Sequence, residues 1–386
     1  MTTRARVAIN GFGRIGRNAL RAALGRADAD AAAGIEIVAI NDVNDPAMLA
    51  YLLEFDTVHG HLAASIELVG DVLRVGDRRV RMSSDRDPSQ LPWQELGIDV
   101  VIESTGHFTV RHDAACHLEA GAGRVIISAP ATGADITICM GVNEDRFDPA
   151  RHTIISNASC TTNCLAPMAH VLHRRFGIES GFMTTIHAYT NDQKLVDLPH
   201  RGHTRDLRRA RAAAQNIVPS TTGAALAIGD VIPELRDRFA GIAVRVPVPD
   251  GSLTDLVCTL SSPATVDDVN RAFDDAAREE RMRGVLEVTH RPLVSSDILG
   301  NSHSCVLSAC DTMALGGHVK VLAWYDNEWA YANRLLDLVA HIETETSALT
   351  QSRARRVGER AMKRGSGDDY VAPPFQPRSR DWYTSS

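Results

Sequence analysis

Near the start of the chain a short apolar stretch, Val7-Ala8-Ile9, runs directly into Gly11-Phe12-Gly13-Arg14-Ile15-Gly16, and helical apolar spacing continues from Arg14 to Leu24. A strand, a glycine-rich turn and a helix in immediate succession leave few folds open. The glycines permit a tight turn and a close backbone approach, so that a pyrophosphate can sit at the positive N-terminal end of the helix. By itself the pattern also fits an ordinary glycine-rich strand-to-helix turn. Further apolar strands at Ile35 to Ile40, Val100-Val101-Ile102 and Val125-Ile126-Ile127 alternate with helical segments, the signature of a parallel, doubly wound sheet of the Rossmann type. The second of these strands ends in Asn41-Asp42, where a carboxylate accepts from ribose hydroxyls and repels a 2′-phosphate, which favours NAD over NADP. Asp42 lies further along than the usual spacing of about 20 residues, and the Ala/Asp-rich stretch Ala27 to Ala33 supplies the excess as a longer loop.

From Ser159 the texture changes. A helix start is followed by extended runs at Gly181 to Tyr189, Ile242 to Val246 and Leu253 to Leu260, as in an α+β domain with a mostly antiparallel sheet backed by helices. The expected organisation is a nucleotide-binding domain over 1–158, a catalytic domain over 159–323, a helix over 324–344 returning to the first domain, and a flexible basic tail over 345–386. At 386 residues the chain has the length for two domains, and 44% hydrophobic with 23% charged residues is an ordinary globular balance. A net charge of −7 gives no electrostatic case for nucleic acid or an anionic membrane. No run reaches a membrane span of about 18 apolar residues, and no apolar leader precedes the first strand, so a cytoplasmic location is expected. Seven scattered cysteines argue for free thiols. The close pairs Cys160/Cys164 and Cys305/Cys310 lack the partners of a zinc site, and no metal is expected.

Ser159 suits a helix N-cap, with Cys160 in the first turn, where unpaired N–H groups and the helix dipole favour a thiolate. A thiolate there is a nucleophile, although most cysteines are small buried hydrophobes. That second reading is assigned to Cys164, one turn on. His187 closes an extended run and is a candidate base for Cys160.

These residues belong to longer motifs: NGFGRIGR from Asn10 to Arg17, SNASCTTNCLAP from Ser156, TTIHAYTNDQ from Thr184, DLRRARAAAQNIVPSTTGAA from Asp206, and WYDNEW from Trp324. Together they resemble the phosphorylating glyceraldehyde-3-phosphate dehydrogenase family, from Val7 to about His341. The resemblance implies a hemithioacetal and then a thioester on Cys160, His187 as the base, NAD as hydride acceptor, and inorganic phosphate as the final nucleophile. It implies that Thr190, Asp192 and Arg245 hold the phosphate of glyceraldehyde 3-phosphate, and that Ser159, Thr161, Thr222 and Gly223 hold the attacking phosphate. Around the dinucleotide it puts Asn10, Gly11, Gly13, Arg14, Ile15, Gly16, Asp42, Arg86, Ser104, Thr105, Ser128, Leu198 and Pro199, with Asn327 on the carboxamide and Tyr331 beside the ring. A homotetramer is implied as well.

Three departures stand out. His200 is followed by the extra stretch Arg201-Gly202-His203-Thr204-Arg205, and a long basic tail follows His341. Val248, Asp250 and Gly251 replace Thr, Asn and Val of many relatives. An inward carboxylate near a phosphate site would be costly, so Asp250 is expected to point outward. The nearest rival is an erythrose-4-phosphate dehydrogenase, which hydrolyses its thioester; retention of Tyr189, Thr190 and Asn191 favours the triose. A Cys/His hydrolase leaves NGFGRIGR unexplained, and the Cys160/His187 pair argues against a non-enzymatic binding protein.

Overall fold

The computed structural model describes residues 4–29, 34–200 and 206–365; for 27–29 and 353–365 only the backbone is described. The Ala27 to Ala33 loop, the extra stretch 201–205 and the tail beyond 365 lie wholly or largely outside the described parts. The chain divides into two compact units, 1–343 and 344–386.

The first unit holds two large sheets. The first is built from β1 (Ala5–Asn10), β2 (Ile35–Asn41), β5 (Ile66–Val69), β6 (Val72–Val75), β7 (Arg78–Ser83), β8 (Val100–Glu103), β9 (Arg124–Ile127), β10 (Ile136–Thr137) and β11 (Ile154–Ser156). A small hairpin, β3 (Phe55–Asp56) with β4 (Gly60–His61), stands apart. The strand order is β10-β11-β9-β8-β1-β2-β7-β6-β5, parallel through β7, with β6 and β5 added antiparallel. Alternate side chains feed opposite layers, which is why these strands read as continuous apolar runs. Val7, Ile9, Val100 and Ile102 enter one core, while Ala8, Val101 and Trp93 enter the other.

Helix α1 (Arg14–Ala29) starts at the glycine turn, and α2 (Pro46–Glu54) is capped by Asp45, which accepts from the Met48 N–H, with Pro46 in the first turn. Two short helices, α3 (Arg111–Ala114) and α4 (Cys116–Glu119), precede β9.

The second sheet contains β12 (Ile178–Ala188), β13 (Val218–Thr221), β14 (Phe239–Val246), β15 (Ser252–Leu260), β16 (Leu286–Thr289), β17 (Cys305–Ser308), β18 (Met313–Leu315) and β19 (His318–Tyr325). Its order is β13-β14-β12-β15-β19-β17-β16, with β18 on β19; the β12/β14 and β16/β17 pairs are parallel and the others antiparallel. One face packs on α5 (Cys160–Phe176), α6 (Ala224–Val231) and α7 (Val266–Ala277) through Leu165, Ala169, Ile228, Phe273 and Leu256. The other face leaves Phe182 and Ile242 exposed.

The sequence leads one to expect a helix over 324–344 followed by a flexible basic tail over 345–386. The structure has a single helix, α8 (Trp329–Gly365), because no glycine or proline interrupts the backbone between them. Its Leu335, Leu336, Val339 and Ile342 are buried in the core of the first sheet.

At the first turn Gly11 has φ +92°, and a Cβ there would lie 2.6 Å from the Thr105 N; a Cβ on Gly16 would lie 2.3 Å from the Gly11 carbonyl oxygen. The turn is therefore closed to any side chain at both positions. Gly16→Ala is expected to lower stability by about 2 kcal/mol, the scale of overpacking, read from a denaturant midpoint. An unchanged midpoint would refute the close approach.

Candidate active site

Ser159 caps α5 from an extended backbone, its hydroxyl accepting from the Thr162 N–H at 3.1 Å. Cys160 is the first helical residue, and Cys164 one turn later is fully buried in the core. Ahead of the cap, buried Ala158 has φ +54°, a left-handed conformation that costs a non-glycine residue about 1 kcal/mol. It is held on both sides: its N–H donates to Ser156 Oγ at 3.0 Å and its carbonyl accepts from the Tyr331 hydroxyl at 2.9 Å.

His187 lies one residue before the end of β12, with Nε2 3.4 Å from Cys160 Sγ. The parallel register pairs His187 with Arg245 of β14. Nδ1 lies 2.7 Å from the Ala188 carbonyl and 2.9 Å from Arg245 Nη1. Since a guanidinium only donates, those two contacts belong to different tautomers. With Nδ1–H on the Ala188 carbonyl, the Nε2 lone pair faces the thiol and can take a proton. With Nδ1 accepting from Arg245, Nε2–H can donate to a thiolate. The Tyr325 ring stands edge-on to His187 at 5.9 Å, its hydroxyl within 3.0 Å of Thr161 Oγ1 and 2.7 Å of Thr185 Oγ1.

Burial pushes the Cys160 thiol up to about 11, against the lowering by Arg245 and by hydrogen bonds from Thr161. Desolvation of the charged form is the largest of these influences. Burial and Arg245 together push His187 down to about 3. Both shifts favour neutral partners at rest.

The residues expected around the substrate phosphate come together. Arg245 Nη1 donates to Thr190 Oγ1 at 3.1 Å, and the Thr190 hydroxyl donates to Asp192. Burial raises the Asp192 carboxyl, but the Thr190 hydroxyl and the charges of Arg209 and Arg245 hold it below its ordinary value. Arg209 is a site residue that the sequence reading missed. It pairs with Asp192 and donates to the Thr221 carbonyl at 3.1 Å and to Ser220 Oγ at 2.6 Å, so it links that group to Thr222 and Gly223. The signal was the arginine pair in DLRRAR, which no spacing rule separates from surface charge. Thr222 Oγ1 accepts from the Ala224 N–H, and a Cβ on Gly223 would meet open space. Thr161 is buried, with its hydroxyl committed to Tyr325.

A cavity of about 580 Å³ is lined by Asn10, Gly11, Gly13, Asp42, Arg86, Ser104 and Thr105, and one of about 570 Å³ shares Gly13 and Asp42 and extends to Thr190. Asp42 accepts from the Phe12 N–H at 2.7 Å and from the Asn44 N–H at 2.9 Å. The open backbone at Gly13, the shaped turn and the acidic strand end fit a dinucleotide such as NAD. The Arg14 side chain pairs with Asp56 and Glu328, which leaves its backbone at the helix start to face an anion. Ile15 packs on the core of the first sheet, and the Ser128 N–H donates to the Glu103 carbonyl. Leu198 and Pro199 are exposed and line neither cavity. Asn327 accepts from Ser252 Oγ at 2.6 Å, and the same Oγ accepts from the Ala188 N–H at 3.1 Å, which ties Asn327 to the end of β12. Tyr331 is buried beneath Ala158.

Asp250 does not point outward. It is buried, and burial, then the charges of Asp326 and Glu328, push its carboxyl up to about 9. The expectation failed because the Gly251 turn, at φ +84° and packed against the Ser295 carbonyl, directs the loop inward.

Replacing Arg245 by Gln removes the charge that lowers the thiol. The Cys160 value then rises, the thiolate fraction at neutral pH falls, and alkylation by iodoacetamide is expected to slow by about tenfold at pH 7, on the scale of one pKa unit. Its pH profile should move to the alkaline side. A profile that stays in place would show that Arg245 does not act on Cys160.

Two family models match the chain: "Glyceraldehyde 3-phosphate dehydrogenase, NAD binding domain" over residues 5–111 and "Glyceraldehyde 3-phosphate dehydrogenase, C-terminal domain" over 159–327. Glyceraldehyde-3-phosphate dehydrogenase 2 of Streptomyces avermitilis is 54% identical over 338 residues, which is 87% of this chain and 98% of that protein. The glyceraldehyde-3-phosphate dehydrogenase of Streptomyces coelicolor is also 54% identical, over the same shares of the two chains. That of Geobacillus stearothermophilus is 53% identical over 341 residues, 88% of this chain and 98% of that protein.

Proposed function

With the chain a member of the glyceraldehyde-3-phosphate dehydrogenase family, and so an NAD-dependent oxidoreductase, we propose that its own Cys160 and His187 carry the phosphorylating oxidation of glyceraldehyde 3-phosphate. The observation that carries this assignment is the 3.4 Å approach of Cys160 Sγ to His187 Nε2 at the start of α5.

Cys160 sulfur adds to the aldehyde carbon as the thiol proton passes by way of His187 Nε2 to the carbonyl oxygen, which becomes the hydroxyl of a hemithioacetal. His187, with Nδ1–H on the Ala188 carbonyl, takes that hydroxyl proton at Nε2 as the carbonyl re-forms and a thioester results. The glycine turn and Asp42 would hold NAD, which would accept the hydride lost from the aldehyde carbon. A phosphate oxygen then attacks the thioester carbon, the C–S bond breaks, 1,3-bisphosphoglycerate leaves, and the Cys160 sulfur takes back the proton held on His187 Nε2, which restores the neutral pair. Arg245, Thr190 and Asp192 hold the substrate's phosphate. Ser159, Thr161, Thr222 and Gly223 frame the attacking phosphate, and Arg209 stands between the two groups. Asn327 and Tyr331 flank the nicotinamide side.

The working division is a nucleotide-binding part over 1–158, a catalytic part over 159–323, a returning helix over 324–344 and a tail over 345–386. The assembly is a homotetramer in the cytoplasm. Support comes from Phe182 and Ile242, exposed together on the outer face of the β12/β14 pair, since apolar surface gathered on one face marks an interface; Leu195, Leu198 and Leu207 are exposed elsewhere along the chain. The free cysteines suit a reducing compartment. No helix among the described residues is long and apolar enough to cross a membrane.

NADH formation from glyceraldehyde 3-phosphate should require inorganic phosphate, prefer NAD to NADP, and fall at least about 10³-fold in Cys160→Ser, the scale for losing a covalent nucleophile. Faster, phosphate-independent turnover of erythrose 4-phosphate would reassign the substrate. For the assembly, Phe182→Asp with Ile242→Asp is expected to lower the mass measured by light scattering; an unchanged mass would move the interface elsewhere.

A further inference from the structure

We propose that His59, Asp250 and Asp326, none of them part of the Cys160/His187 pair, form a binding site for a divalent cation of the zinc or manganese class. The three residues come from distant stretches: the turn between β3 and β4, the loop between β14 and β15, and the turn between β19 and α8. One donor atom from each, the His59 ring nitrogen and a carboxylate oxygen from each aspartate, lies within 4.8 Å of the others. Donors about 2.0–2.2 Å from a shared tetrahedral ion stand about 3.4 Å apart, so the three side chains would have to close by up to roughly 1.4 Å to meet on one centre.

Burial supports the same reading. The Asp250 side chain is 0% exposed and that of His59 6%. Asp250 Oδ1 accepts from the Gly251 N–H at 2.8 Å, while Oδ2, 3.7 Å from His59 Nε2, has no hydrogen-bond partner. Burial and the neighbouring Asp326 favour a proton on this carboxyl, and a cation that displaced the proton would satisfy both aspartates at once. Asp326 is oriented by backbone N–H groups, Oδ1 by Glu328 and Trp329 and Oδ2 by Gly300. Oδ1 is thereby filled, while Oδ2, with a single donor, keeps one lone pair for a ligand.

The surrounding charge does not supply the missing cation. Arg14 is committed to Asp56 and Glu328, and Glu328 also lies 3.1 Å from His59 Nε2. Among the described residues, no lysine or arginine lies within ion-pair distance of Asp250 or Asp326. One imidazole with two carboxylates selects zinc or manganese over calcium or magnesium, which take oxygen ligands. A cavity of about 410 Å³ is lined by His59, Gly300 and Trp329 and opens the His59 side of the cluster. The ion would join the small hairpin to the two loops beside Asn327, a structural tie and not a participant in the reaction.

The test uses the full chain with accessible thiols blocked by iodoacetamide, so that Cys160 cannot take the metal. After EDTA dialysis it is equilibrated with Zn²⁺ or Mn²⁺ in separate runs, and bound metal is measured by elemental mass spectrometry. One equivalent per chain, lost in both Asp250→Asn and His59→Gln, is expected, with a broadened Mn²⁺ resonance in the unsubstituted chain. Substoichiometric metal in the unsubstituted chain, a reading that needs no variant to fold, would overturn the proposal. Retention of the metal by either variant with native circular dichroism would also overturn it. In that event the His59 ring simply donates to Glu328.

Discussion

The centre of this molecule depends on the register of one parallel strand pair. Because β12 and β14 align with His187 opposite Arg245, imidazole and guanidinium project from the same face of the sheet, the face that α5 covers. A slip of one residue would send Arg245 to the outer face, where Phe182 and Ile242 lie. The alternation that buries Met183, Thr185 and His187 on the inside of β12 thus serves packing and chemistry together. Hydrophobic residues along the strand set the register, and the register places two charged or ionisable groups that have no apolar reason to meet.

Burial is the second organising force, and its sign differs from group to group. It raises the Cys160 thiol and lowers the His187 imidazole, so the closed site favours an uncharged pair. Arg245 pulls both groups in the same direction, toward lower values. It helps the thiolate to form but holds back protonation of the base. The Ala188 carbonyl works the other way, favouring a proton on Nδ1 and with it a bare Nε2. The reactive geometry is a balance among a dehydrated pocket, one fixed cation and one backbone acceptor.

The Rossmann sheet and the α5 cap were legible in the sequence, since each rests on local rules: glycine placement, apolar alternation and N-cap chemistry. His187 was only a candidate base by those rules, and its pairing with Cys160 came from the family resemblance, because the two lie on different elements. The less legible features are set by distant neighbours. Arg14 follows the glycine turn, yet its side chain is held by Asp56 and Glu328, residues that no local pattern joins to it. Arg209 looks like one of several surface arginines until Asp192 and Thr221 stand beside it. Asp250 seemed safe on the surface because a buried carboxylate is costly; the Gly251 turn brings it inward anyway. Continuity of α8 was missed for a simpler reason: a change from apolar to basic composition resembles a boundary, although nothing in the backbone breaks there.

The left-handed Ala158 carries a consequence of its own. A strained, fully buried alanine has no gradual way to relax. Either Ser156 and Tyr331 grip it, or the turn reverts to an ordinary conformation and Cys160 loses its aim. The nucleophile therefore behaves as an all-or-none reporter of local order. In mild urea the thiol should fall silent while both sheets still give their full circular dichroism, so inactivation would precede unfolding and would reverse on dilution.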